Sequence, residues 1–327
     1  MTQDGREIDV TRGMDESGLG MPGMAMASMS MPGMPAGSVK VDTAPKAKAM
    51  VPQVAEFVRY NGWPELKEAL MSGRLKVAMM LAPMVMDLAD RGVPVRIVAL
   101  GHRSGAVIMV RKDSPARKFS DLRGKRIAIP SRFAVDHIFV RRLMREHGLR
   151  DGDLTMVEIA PPDMPAALLA GAVDAYATGE PYGAKSEMDG YGRVLHMTRD
   201  VWPSYICCVL TVREELIKSD HGLVQNLVNH VMSAGQWLDS DPKNRTTAAR
   251  IASERSVFNQ AFELIRWVME RPSDRVTYGD LRLIRGEFDE MMRLSMDAGI
   301  IDHSIPYERY VDETFMRRFR PVAINLE

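Results

Sequence analysis

Apolar positions along this chain fall into short β-length runs, and most runs are followed by a stretch of helical spacing. The clearest case is Leu168 to Pro181, Leu-Leu-Ala-Gly-Ala-Val-Asp-Ala-Tyr-Ala-Thr-Gly-Glu-Pro. It predicts the end of a helix, a stop at Gly171, a strand from Val173 to Ala177, and a break at Gly179-Glu180-Pro181, where Pro181 is suited to open the next helix. The same order occurs earlier, from Ala69 to Pro83: helix, Gly73, a strand from Val77 to Leu81, then Pro83. Two matching units predict two similar α/β lobes facing each other.

Order is expected to begin near Val54, with an alternating strand to Tyr60 and a helix opened by Trp63-Pro64-Glu65. Strands over Arg96–Gly101 and Ala106–Val110 follow the Val77 strand, giving the strand–helix rhythm of a largely parallel sheet. A second lobe is expected after Lys112-Asp113-Ser114-Pro115. It has strands at Arg126–Ile129, Thr155–Ile159, Val173–Ala177 and Val194–Met197, and a helix from Ser131-Arg132-Phe133 to His147. Asp163 stands where it would cap the helix ending at Gly171. Tyr205–Val212 reads as a strand returning to the first lobe, and beyond Asp220 the pattern is helical. The fold class expected is therefore α/β with two lobes: residues 51–112 and 206–327 in lobe 1, residues 113–205 in lobe 2, and two crossings that make a hinge.

Residues 1–50 carry no such period. Six methionines fall between Met21 and Met34, spaced by Ala, Ser, Gly and Pro, so the segment is expected to be a disordered tail, with soft Cu(I) binding as the sharper alternative. The 327 residues carry 43 Lys plus Arg against 43 Asp plus Glu, which gives no global field favouring nucleic acid. No apolar run approaches the ~20 residues that span a bilayer, and the start lacks the basic-then-apolar layout of an export signal. The only two cysteines, Cys207 and Cys208, lie in an apolar run and read as small core residues rather than as metal or redox chemistry. The seven histidines show no metal spacing, and no Ser-His-Asp order, HExxH or phosphate loop is present. Neither a catalytic residue nor a cofactor is expected.

Four stretches carry a family resemblance: Ala69-Leu-Met-Ser-Gly-Arg-Leu, Met80-Leu-Ala-Pro83, Asp121-Leu-Arg-Gly-Lys-Arg-Ile-Ala-Ile-Pro130, and Gly171 to Pro181. Taken in order, they resemble the solute-binding proteins of ABC transporters for nitrate, bicarbonate, sulfonates and taurine, over about residues 54–321. The resemblance implies a type II periplasmic binding fold, hinge closure over a small anionic or polar solute, permease and ATPase subunits as partners, contact with the membrane only through the permease, and a periplasmic location. Related folds include a pyrimidine-binding, thiamin-precursor group and cytoplasmic sensors. The first of these needs a cysteine-rich iron site, which Cys207-Cys208 matches poorly. The methionine-rich tail stands where the family has a further strand and helix, and a misplaced start would account for that and for the missing export signal.

A small anion is held by helix N-termini, backbone N–H groups and a few cationic or hydroxyl donors. The strand-to-helix junctions supply Trp63, Met84 and His102 in lobe 1, and Ser131, Arg132, Asp136 and His137 in lobe 2. Nitrate-binding relatives carry a ligand-contacting His followed by an acid at that last place; here the order is inverted. Glu180, at the end of the strand, and Tyr205, at the returning crossing, complete the expected set. An acid facing the cleft would repel an anion unless neutralised.

Overall fold

The computed structural model describes residues 37–41, 53–203, 205–255 and 257–326. Strand β1 (Gly37–Val41) pairs antiparallel with β2 (Gln53–Phe57) in a separate two-stranded sheet. Backbone order thus reaches into the segment expected to be a tail, and the first expected strand does not join the lobe-1 sheet. The methionine-rich stretch lies outside the described residues.

Helix α1 (Trp63–Met71) begins with Pro64 in its first turn and Glu65 beside its positive end. Then come β3 (Val77–Leu81), α2 (Ala82–Asp90), β4 (Val95–Ser104) and β5 (Ala106–Arg111). The second lobe continues with β6 (Lys125–Ile129), α3 (Val135–Glu146), β7 (Leu154–Glu158), α4 (Met164–Leu169), β8 (Ala175–Gly179), α5 (Tyr182–Met188) and β9 (Gly192–Met197). After α6 (Thr198–Val201) come β10 (Ile206–Arg213), α7 (Glu214–Ser219), α8 (His221–Ser240), α9 (Pro242–Ser253), α10 (Phe262–Glu270), β11 (Val276–Thr277) and α11 (Arg285–Asp297). No helix among the described residues is long and apolar enough to cross a membrane.

One sheet has the order β11-β4-β10-β3 and the other β7-β6-β8-β5-β9. The first differs from the parallel sheet expected. The returning strand β10 inserts between β3 and β4 and runs antiparallel to both. In the second, β6 is parallel to β7 and β8, while β5 is antiparallel to β8 and β9. Strand β5 was expected in lobe 1, but it belongs to the second sheet, so the chain changes sheet at Ser104-Gly105 rather than after Lys112. Its residues from Ala106 to Val110 are all buried, which is why they read as a continuous apolar run with no face to betray its neighbours.

That first crossing is tight. Ser104 and Gly105 both have positive φ, 57° and 88°, a region that glycine alone enters freely. A Cβ on Gly105 would stand 2.9 Å from Val276 Cγ2. The second crossing runs through α6, where Thr198 Oγ1 donates to the Ala106 carbonyl at 3.1 Å, and the Ser104 N–H donates to the Tyr205 carbonyl at 3.3 Å. The two crossings are therefore bonded side by side.

One apolar cluster runs through both sheets. It includes Leu70, Met80, Ile97 and Val209 from the first sheet's side and Ile108, Ile127, Phe139 and Leu143 from the second's. Each such side chain contributes roughly 1.5–3 kcal/mol when fully buried. Polar contacts also join the lobes. Arg142 on α3 pairs with Glu290 on α11 at 2.9 Å, and the Lys67 ammonium on α1 sits 4.6 Å from the Phe133 ring centroid.

Candidate functional site

Three of the residues singled out in the sequence converge where the crossings meet. His102 comes from β4, Asp136 from the first turn of α3 in the other lobe, and Tyr205 from the residue before β10. Asp136 is 3% exposed and Tyr205 fully buried. The side-chain atoms His102 Nδ1, Asp136 Oδ1 and Tyr205 OH are all buried without a hydrogen-bond partner. Buried polar atoms are ordinarily satisfied, and each that is not costs about 1–3 kcal/mol. Three in one place, drawn from both lobes, mark a position at which a bound molecule would supply the partners.

Aromatic rings frame this position. The Tyr205 ring stands edge-on to Trp202, with centroids 5.2 Å apart, and Phe139 lies 6.2 Å from Tyr205 on the other side. Trp202 Nε1 is a further buried donor without a partner, and the Arg142 guanidinium lies 5.1 Å from the Trp202 ring centroid.

The electrostatics follow from burial. Desolvation pushes the Asp136 carboxyl up to about 7, against its own backbone N–H, His102 and the Tyr205 hydroxyl, which favour its charge. Protonated, it donates a hydrogen bond as well as accepting one. Burial also holds the Tyr205 hydroxyl well above its usual range, with Asp136 adding to the effect. The hydrogen bond from Cys207 holds the Cys208 thiol well below the ordinary thiol range, and His102 lowers it further. Burial pulls the His102 imidazole down, but Cys208 outweighs it and leaves it raised.

The other expected residues make contacts of their own. Ser131 is buried at the end of β6, where its Oγ accepts from the Phe133 N–H at 3.2 Å. Arg132 is exposed with its guanidinium 4.9 Å from the Phe133 ring centroid. His137 turns back onto the same loop, with Nδ1 2.8 Å from the Arg132 carbonyl oxygen. Trp63 packs its half-buried ring on the main core, and Met84, 2% exposed, is spent inside it.

Glu180 is neutralised rather than open. Its Oε1 lies 3.1 Å from Arg275 Nε, with the two side chains 3% and 1% exposed, and the Arg275 guanidinium also pairs with Glu187. Burial pushes the Glu180 carboxyl up to about 7 even so, with Arg275 and the Ala184 N–H pulling against it. Sequence reasoning missed Arg275, and no local pattern announces a partner 95 positions away. Cys207 lies in the core, as the apolar run implied, and Cys208 packs half-buried against it, facing His102 across the ladder.

Comparison with known proteins bears on the family and the fold. The pattern that defines the NMT1-like family matches residues 46–253. The nitrate/nitrite binding protein NrtA of Nostoc sp. is 24% identical over 249 residues, which cover 69% of this chain and 56% of that protein. The chain thus spans little more than half the length of that relative. The ligand binding component of an ABC-type import system from Staphylococcus aureus, solved with zinc bound, superposes with a TM-score of 0.73 at 26% identity, over 81% of this chain and 88% of the other. The periplasmic nitrate-binding protein NrtA from Synechocystis PCC 6803 gives 0.72 at 18% identity over 79% and 78%, a likeness of fold.

Proposed function

This chain belongs to the NMT1-like family, and from that membership we propose that it is the solute-binding component of an ABC importer. Its two lobes close over a small polar or anionic solute, and the closed form is what permease and ATPase subunits receive, on the periplasmic side of the membrane. No bond is made or broken. Binding energy favours the closed arrangement, and closure is the signal that transport reads.

The observation that carries this reading is the meeting of His102, Asp136 and Tyr205, three unpartnered polar groups contributed by both lobes. A solute that bonds to all three gains only when the lobes are together, which is the differential affinity that closure requires. The donors suit an oxyanion of the nitrate, bicarbonate or sulfonate kind. A protonated Asp136 donates instead of repelling, and Tyr205 and His102 supply further N–H and O–H groups. The likeness to an ABC import component and to a nitrate-binding protein supports the same class.

A thermal-shift panel of nitrate, bicarbonate, taurine, alkanesulfonates and pyrimidines tests it on the full chain. Ligand at a hundred times its Kd raises the unfolding free energy by about 2.7 kcal/mol, so one member of the oxyanion group is expected to raise Tm by several degrees. A response to the pyrimidines alone would overturn the assignment of solute class.

A further inference from the structure

We infer that Cys207, Cys208 and His102 form a binding site for a thiophilic divalent metal ion, zinc, at the bottom of the cleft. Neighbouring residues of a regular strand point to opposite faces of the sheet. Here the register of β10 against β4 slips between Ile206 and Cys208 and again between Cys208 and Val209. Such a bulge re-aims side chains, and the two sulfurs come to lie 4.0 Å apart, both as free thiols. Two thiolates bound at ~2.3 Å to a tetrahedral ion stand about 3.8 Å from one another. His102 is the ladder partner of Cys208, and one ligating atom from each of the three residues lies within 4.8 Å of the others.

A second observation points to a ligand independently. His102 Nδ1 is buried and makes no hydrogen bond, and a neutral imidazole nitrogen is the commonest metal ligand. Access exists, because Cys208 and His102 are half-buried while Cys207 is enclosed. The surroundings are soft as well. A Cβ on Gly101 would stand 3.0 Å from the Met79 thioether and 3.4 Å from Cys208 Cβ, so the glycine leaves room for both side chains on this face. Charge selects the ion. Two thiolates and a neutral imidazole cancel a dication in a place where net charge is costly, whereas a monovalent soft ion would leave one negative charge behind.

Three protein ligands leave the fourth position of a tetrahedral ion open, and Asp136 and Tyr205 are close enough to the cluster to interact with it electrostatically. On the clamp reading above, from which this last step follows, the fourth ligand is an oxygen of the solute, and His102 then holds the solute through the metal instead of by its own N–H. The metal site itself does not depend on that reading.

The chain has only two cysteines, so thiol labelling reports on this site alone. The reduced, metal-free full chain is titrated with zinc against a chromophoric chelator, and alkylation of its thiols is timed with and without zinc. One zinc per chain is expected, with alkylation of both cysteines slowed at least about tenfold. Cobalt(II) should give a thiolate-to-metal charge-transfer band. Cys208→Ser and His102→Gln, each checked for an unchanged melting profile, are expected to weaken zinc at least about tenfold. Zinc that fails to protect the thiols of the unmodified chain overturns the inference whatever the variants do, as does retention of Cu(I) without zinc. A solute that stabilises the metal-free chain while zinc leaves the thiols unprotected overturns the metal site and leaves the clamp standing. Zinc protection without any solute response supports the site and counts against the clamp.

Discussion

Asp136 is the residue on which the site's chemistry turns, because its proton decides whether the cleft offers a donor or a charge. Its folded pKa of about 7 lies above the ordinary carboxylate range. The folded form therefore keeps a proton that the unfolded chain has released, and the associated stability is present at low pH and lost as pH rises through about 7. The groups facing the carboxyl are Tyr205, His102 and Cys208. Asp136→Asn removes this titration and is expected to gain on the unmodified chain as pH rises from about 5.5 to about 8, by on the order of 2 kcal/mol. Urea melts at the two pH values measure it; a pH-independent difference would contradict the burial argument. Arg275 poses the opposite case. Removing it by Arg275→Met strands Glu180 in the interior and should cost about 3–5 kcal/mol, while adding Glu180→Gln should recover part of the loss. A double-mutant cycle by chemical denaturation reads the coupling, and additive losses would contradict it. His102, Asp136 and Tyr205 could be singled out in the sequence because each stands at or near the end of an element. Arg275 and the turned cysteines were not. One depends on a contact between distant segments, and the other on a ladder slip that residue types do not encode.

At the scale of elements, periodicity placed the first helix–glycine–strand unit well, whereas the second strand, expected over Val173–Ala177, lies two residues later and runs through Gly179. Gly73 and Gly171 follow their helices with positive φ, and β3 begins and ends where the pattern puts it. Pairing is what the pattern could not reach. Nothing in Ala106–Val110 says which sheet it joins, and nothing in Tyr205–Val212 says that it runs between two strands already made. Asp163 shows a smaller limit of the same kind: it stands at the start of α4, but its side chain makes no capping bond. The crossing itself gives a prediction. Gly105→Ala meets both an unfavourable φ of 88° and Val276 Cγ2 at 2.9 Å, and should cost on the order of 2–3 kcal/mol. Gly92→Ala has a similar φ, 78°, but open space around the new Cβ, and should cost only about 1 kcal/mol. Equal melting temperatures for the two variants would remove the steric part of the argument.

For the whole molecule, the account rests on two lobes that share one solute. The lobes already share a core cluster, paired crossings and the Arg142–Glu290 bridge, while the polar groups at their junction remain without partners. A chain stabilised only by its own contacts has no reason to keep such atoms buried, whereas one completed by a guest does. The most direct measurement is calorimetric titration of the solute found in the panel into the unmodified chain and into Tyr205→Phe, which deletes one unpartnered hydroxyl and leaves the ring stack with Trp202 in place. The account predicts one site per chain and at least about tenfold weaker binding in the variant, the worth of one buried hydrogen bond. An unchanged affinity would contradict it, because the solute would then lie elsewhere than at the junction of the two lobes.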